Sequence, residues 1–146
     1  MCQAMAPQMS EPQIMMRGRQ QDGSEMMIDD FREAYSWLRA NTAEDAKVLA
    51  WWDHGYQIAA LANRTTFADG NTWNASHIAR VGRVLVSSEE QGGRLMRELG
   101  ADYVLVVTTR HAGLYGDDLA KSPHMARIGT SVYGDRIGCH ASQFYM

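Results

Sequence analysis

The run Trp51-Trp52-Asp53-His54-Gly55-Tyr56-Gln57-Ile58 holds the most concentrated chemistry in the chain. An indole offers one N–H donor and nothing else, and an ionised aspartate only accepts. Two tryptophans and one carboxylate therefore supply two donors and one acceptor. That set matches the capacity of a single hydroxyl, with its two lone pairs and one proton. A site built this way would select Ser or Thr. It would reject residues without the hydroxyl, because its own buried polar groups would be left unpaired. The same residues also suit a plainer arrangement, in which the tryptophans end a core strand and Asp53 caps a helix beginning near Gly55.

Other residues invite chemistry less strongly. His111, Asp117, Asp118 and His124 are of types that bind divalent cations, but no histidine pair has the tight helical spacing of a ligand set, and no metal site is assigned. Gly113 and Gly116 lack the spacing of a phosphate-binding loop, and no lysine stands in the P-loop position. A small-molecule enzyme using His54 or His111 as a base would need a paired nucleophile that the sequence does not offer. Asn63-Arg64-Thr65 and Asn74-Ala75-Ser76 are acceptor sequons for glycosylation. Asn74 equally suits the cap of a helix at Ser76. Asn63 lies against a buried helix and is expected to stay unmodified.

The elements that must position these groups alternate between helix and strand. Asp29 or Asp30 reads as an N-cap, with Phe31, Ala34, Tyr35 and Leu38 at helical spacing and an end at Asn41 or Thr42. Lys47 to Trp51 reads as a short buried strand, Gly55 to Asn63 as a helix, and Arg64 to Trp73 as a loop around Asp69-Gly70-Asn71. Ser76 to Leu85 is expected helical. Ser88 starts the next helix, with Gln91 at the capping-box position and Gly100 just past its end. Asp102 to Thr108 is a β-branched run of the central, covered kind. This alternation predicts an α/β fold, mixed helices around a small, largely parallel sheet, with the carboxyl ends of both strands on one edge. No internal repeat is visible.

At 146 residues the chain suits one domain with its own core. Its 45% apolar and 21% charged content is ordinary for a globular fold, and a net charge of −3 gives no reason to expect nucleic acid as partner. The apolar runs are far too short to span a bilayer, and no signal peptide opens the chain. Residues 1–21, rich in Met and Gln, read as a disordered tail or linker. Two cysteines, Cys2 and Cys139, are too few for a disulfide framework.

Ile28-Asp29-Asp30-Phe31-Arg32-Glu33-Ala34-Tyr35, Trp51-Trp52-Asp53, Gln57-Ile58 and Ala62-Asn63-Arg64-Thr65-Thr66 then form an ordered series. It continues through Asn71-Thr72-Trp73-Asn74, His77-Ile78-Ala79, Ala101-Asp102-Tyr103-Val104-Leu105-Val106 and Gly116-Asp117-Asp118-Leu119. The series closely resembles the catalytic subunit of the eukaryotic oligosaccharyltransferase, over about residues 17 to 133. That family transfers an oligosaccharide from a dolichyl diphosphate carrier to Asn of Asn-x-Ser/Thr. A second family signature, an Asp, a Lys three residues on and a Met four beyond, matches Asp118, Lys121 and Met125. On a helix, that spacing sets the three along one face. The resemblance implies that Trp51, Trp52 and Asp53 bind the acceptor hydroxyl and that Met125 packs on a threonine methyl. Burying one methyl is worth about 1 kcal/mol, enough for a preference for Thr without exclusion of Ser. Met125 also suits an ordinary core position, and Asp118 with Lys121 an ordinary helix-surface pair.

The family's subunits begin with a polytopic membrane region, so the resemblance implies that residues 22–146 are a partial lumenal acceptor-recognition domain. It further implies an endoplasmic reticulum membrane location with this domain on the lumenal side, an acceptor polypeptide, a dolichyl-diphosphate oligosaccharide and neighbouring oligosaccharyltransferase subunits. Mn2+ or Mg2+ would be held by ligands outside this chain. In an oxidising lumen Cys139 could pair with a cysteine beyond Met146. Asn74 matches a glycosylated family position, whereas Gly70 replaces the asparagine of a second family sequon. Tyr56, Asn71 and Thr72 would face the donor's pyrophosphate or first sugar. Departures include His54, where the family usually has Tyr, and Ser122-Pro123-His124 in place of bulkier apolar residues. Pro123 either sits inside the motif's helix, removing a donor, or starts a new one after Lys121. The alternative is a free-standing, non-catalytic sequon-binding or structural module.

Overall fold

The computed structural model describes residues 15–19, 22–71, 73–108 and 118–134. Three strands, β3 (Lys47–Leu49), β4 (Thr65–Thr66) and β5 (Tyr103–Val104), form a parallel sheet in the order β4-β3-β5. Val48 pairs with Thr66 on one side and with Tyr103 on the other. Because side chains alternate across a strand, β3 and its continuation feed two cores. Val48 and Ala50 join Tyr35, Leu38, Ile58 and Ala62 on one face; Leu49 and Trp51 join Ile78, Val81, Val84 and Met125 on the other. Helices thus cover both faces of a small parallel sheet, the α/β arrangement expected from the sequence.

The first layer is α1 (Asp30–Asn41) with α2 (Gly55–Gln57), which runs directly into a π-helical turn at Ile58–Ala62. Asp29 stands at the N-cap of α1, but its carboxylate pairs with Arg32 and makes no cap bond. The π-turn ends at Asn63 in the left-handed region, φ 51°. Next to it Arg64 is buried, and its guanidinium donates to Thr42 Oγ1 and to the carbonyls of Arg39, Thr42, Ala62 and Asn63 at 2.7–3.2 Å. One cation therefore satisfies the carbonyls that two helix ends leave open.

The second layer is α3 (Ala75–Val86), α4 (Glu89–Leu99) and α5 (Asp118–Tyr133). Asn74 Oδ1 caps α3 by accepting from the His77 N–H at 3.1 Å, and Ser88 Oγ caps α4 by accepting from Gln91 N–H at 3.4 Å. Gly100 closes α4 with φ 70°. The α3 and α5 backbones meet at Gly82, where a Cβ would lie 3.0 Å from the Met125 carbonyl and 3.3 Å from the Trp51 ring.

Several elements differ from the sequence expectation. The opening segment is no plain tail, since β1 (Met16–Arg19) pairs antiparallel with β2 (Glu25–Ile28). The hairpin turns on Asp22, whose Oδ1 accepts from the Ser24 N–H and hydroxyl, and on Gly23 at φ 85°. Such an Asx turn leaves no apolar period to read. Residues 1–14 lie outside the described residues. Thr65–Thr66 form β4 inside the expected loop, and β5 is shorter than Asp102–Thr108 and less covered. Tyr103, Val104 and Val106 are 37–45% exposed, because among the described strands β5 pairs only with β3. Pro123 lies within α5 and does not begin a new helix.

Candidate functional site

Where β3 ends, Trp51 remains extended and the chain tightens into a 3-10 turn, Trp52–His54, closed by the His54 N–H donating to the Trp51 carbonyl at 3.1 Å. The turn is pressed close by Gly55. A Cβ there would fall 2.1 Å from the Ala68 carbonyl oxygen, so only glycine lets the chain pass. On the neighbouring strand's continuation, the Val107 N–H donates to Asp118 Oδ2 at 2.8 Å, and the Asp118 N–H donates to the Val107 carbonyl at 3.0 Å. That double link fixes the start of α5 beside the tryptophan–aspartate turn, at the carboxyl edge of the sheet.

Four side chains meet there. Lys121 Nζ donates to Asp53 Oδ2 at 2.5 Å and stands 3.7 Å from Asp118 Oδ1. His54 Nε2 lies 3.3 Å from the same Asp118 Oδ1, and its ring stacks on Phe31 at 5.9 Å. His54 and Asp118 are each 5% exposed, whereas Asp53 and Lys121 reach the surface. Burial pushes the Asp118 carboxyl upward, but the His54 and Val107 hydrogen bonds, with the charges on His54 and Lys121, outweigh it and hold its pKa below the ordinary value. Tyr35, whose hydroxyl donates to Gln57 Oε1 at 2.6 Å, is pushed up to about 12 by burial and by the Asp118 charge. Asp53 Oδ1 is buried and has no hydrogen-bond partner among the described residues. An unpaired buried carboxylate oxygen is costly, so Asp53 Oδ1 is an acceptor in this turn that still lacks a donor among the described residues.

The structure thus brings together Trp51, Trp52, Asp53, Asp118 and Lys121 as the sequence expected. Met125 is placed differently. It is 2% exposed and belongs to the core cluster with Trp51, Leu49 and Val81. A peptide methyl would find no Met125 surface in this conformation. The helix face carrying it turns inward, because Gly82 lets α3 close over it. Trp51 is 1% exposed and is held between this core and the edge-on ring of His124 at 6.2 Å, while Trp52 is partly open. The part played by His54 was not legible in the sequence. Its partner Asp118 stands 64 residues away, and no local pattern signals such a pairing.

A second feature lies on the loop after β4. Thr66, Asp69, Asn71, Trp73, Asn74 and His77 are among the residues lining a cavity of about 200 Å³. Trp73 is 79% exposed at its rim. Tyr56 is exposed and its ring rests against Gly70, where a Cβ would meet it at 2.9 Å. Asn71 is exposed on the same loop, and Thr72 lies outside the described residues. So do His111, Asp117, Cys2 and Cys139. Among the described residues, no three His, Cys, Asp or Glu side chains are grouped to hold a metal ion, so no fit for Mn2+ or Mg2+ is found here. No helix among them is long and apolar enough to cross a membrane.

Comparison with known proteins covers this same region. Residues 44–132 match the STT3/PglB/AglB core domain. The dolichyl-diphosphooligosaccharide–protein glycosyltransferase subunit STT3 of Dictyostelium discoideum is 50% identical over 122 residues, covering 84% of this chain and 17% of that protein. The STT3 subunit of Saccharomyces cerevisiae is 47% identical over 128 residues, 88% of this chain and 18% of its own length. The chain therefore spans under a fifth of the length of these relatives. A solved structure, the C-terminal globular domain of an oligosaccharyltransferase from Archaeoglobus fulgidus, aligns loosely, with a TM-score of 0.46 at 19% identity over 77% of this chain and 83% of that one. The family match runs from the approach to β3, through the tryptophan–aspartate turn, to the last turn of α5, and the chain belongs to the STT3/PglB/AglB core-domain family.

Proposed function

We propose that this chain is the acceptor-recognition part of an oligosaccharyltransferase catalytic subunit, which transfers an oligosaccharide from dolichyl diphosphate to Asn of Asn-x-Ser/Thr. The observation that carries this reading is the buried Asp53 Oδ1, which has no partner among the described residues and follows Trp52 in the turn at the sheet's carboxyl edge. The hydroxyl two residues after the target asparagine donates its proton to Asp53 Oδ1, with Trp52 at its side. Trp51 supports Trp52 from the buried core. Lys121 donates to the other carboxylate oxygen and so orients Asp53. A peptide lacking the hydroxyl leaves the acceptor unpaired and is rejected on that ground. The contribution to the reaction is positioning, because a clamped peptide presents its amide to the donor at high effective concentration.

In this reading the protein works at the endoplasmic reticulum membrane with this domain on the lumenal side and other subunits beside it. The divalent cation and the lipid-linked donor are bound by parts outside this chain. Tyr56, on α2 with its ring against Gly70, and Asn71 of the loop after β4 face the donor. Asn74 carries a glycan, which its cap permits, since the cap uses Oδ1 and leaves Nδ2 available.

The test is a chimera in which this chain replaces the matching segment of the yeast relative, assayed for glycosylation of a reporter and for glycosidase sensitivity at Asn74. Asp53→Ala should cut reporter glycosylation at least about a hundredfold, in line with losing a charge-assisted hydrogen bond and stranding its partner. Undiminished glycosylation by that variant would overturn the assignment.

A further inference from the structure

We propose that His54 is a positioning residue for the acceptor carboxylate, holding Asp53 turned toward an incoming hydroxyl through Asp118 and Lys121. This rests on the acceptor-recognition reading above. The argument begins with one shared oxygen. Asp118 Oδ1 faces both His54 Nε2 at 3.3 Å and Lys121 Nζ at 3.7 Å, and Asp118 Oδ2 is already taken by the Val107 N–H. Lys121 in turn stands between two carboxylates, 2.5 Å from Asp53 and 3.7 Å from Asp118. Whatever His54 gives to Asp118 decides how far Lys121 is free to stay on Asp53.

The groups around His54 leave few competitors. Asp118 and Lys121 face it from α5, Asp53 precedes it in its own turn, and α1 contributes the apolar Phe31 ring with Tyr35 behind it. Tyr35 is neutral at physiological pH, its hydroxyl spent on Gln57. With the imidazole doubly protonated, Asp118 has a cation of its own and Lys121 remains on Asp53. With the imidazole neutral, the Asp118 charge falls on Lys121 alone and draws it toward the midpoint of the two carboxylates. Asp53 then loses the contact that fixes its rotamer, and Oδ1 no longer points consistently to the acceptor.

The experiment uses the full chain and a short peptide with a Thr sequon. The Asp53 carboxyl carbon signal, assigned with Asp53→Asn, is followed by NMR across the pH range, and peptide affinity is measured by calorimetry near pH ~6 and pH ~8. The Asp53 signal should show a step whose midpoint coincides with the His54 ring titration. Peptide should bind about threefold to fivefold tighter at the lower pH, the size of a partly exposed ion pair. His54→Gln keeps an N–H near the Nε2 position without a titratable charge. It should abolish both steps, with affinity flat at the weaker wild-type value. An Asp53 signal that ignores His54, or a pH step that survives in His54→Gln, overturns this proposal alone. A step in the signal with no peptide binding at any pH overturns the acceptor-recognition reading, and His54's role toward a peptide falls with it.

Discussion

At the scale of single residues, the tryptophan–aspartate turn shows how one side chain's burial decides another's task. Hydrogen-bond capacity alone suggested that both indoles would face a hydroxyl. The structure divides the labour: Trp52 is partly open, and Trp51 is 1% exposed above Met125. Met125 then belongs to the core before it belongs to any peptide. Met125→Ala should cost about 2–5 kcal/mol of stability through the cavity left beneath Trp51, read by thermal or denaturant unfolding. The same variant in the chimera should leave the preference for Thr over Ser sequons where it was. A ratio shifted toward Ser would return Met125 to the acceptor site. The Trp51-Trp52-Asp53 run was legible as a hydrogen-bonding set from residue type, and Lys121 entered only through the family resemblance of the Asp118, Lys121 and Met125 series. The burial of Met125 was not, since it depends on α3 approaching across Gly82.

At the scale of elements, α5 holds an internal compensation. Pro123 has no N–H, so the carbonyl four residues back, that of Leu119, loses its helical partner. The Ser122 hydroxyl donates to that same carbonyl at 2.7 Å. The helix thereby runs unbroken from Asp118 to Tyr133 and keeps Lys121 and Met125 in one register. Ser122→Ala should destabilise the chain by about 0.5–1.5 kcal/mol. Combined with Pro123→Ala, which restores the backbone donor, the serine change should cost almost nothing. Equal costs in both backgrounds, measured by a double-mutant cycle in unfolding, would show that the serine does not serve the proline's missing bond. Helices α3 and α4 were legible almost to their ends because Asn74, Ser88 and Gly100 are local signals of helix termini. The β1–β2 hairpin, two-residue β4 and the π-turn at Ile58–Ala62 were not. Their reasons are an Asx turn, one parallel neighbour, and the guanidinium of Arg64 bridging two helix ends.

At the scale of the whole molecule, the sheet's carboxyl edge joins the two cores through charged and polar groups, and this gives the fold two limits in pH. Asp118 ties α5 to Val107 and His54, and its pKa is lowered in the fold. A lowered carboxyl contributes stability that is present above its unfolded value, about 3.9, and is lost as pH falls through the lower folded value. Tyr35, fully buried on the opposite face of β3, is raised to about 12. Its contribution is present below the unfolded value near 10 and is lost as pH rises through the folded one. Denaturant unfolding from pH ~3 to pH ~12 should therefore give a plateau with an acid limb and an alkaline limb. Asp118→Asn should flatten the acid limb and leave the alkaline limb in place, though smaller, because without the Asp118 charge the folded Tyr35 hydroxyl ionises closer to its unfolded value. Tyr35→Phe should do the reverse, removing Tyr35's part of the alkaline limb alone. If Asp118→Asn left the acid limb as steep as before, the carboxylate would not be the group that fastens α5 to the sheet, and the charged cluster around Asp53 would need another anchor. The parallel sheet and its two helical layers were foreseeable from alternating patterns along the chain. The fastening between them was not, because it joins Asp118 to His54 across the fold and sets no period in the sequence.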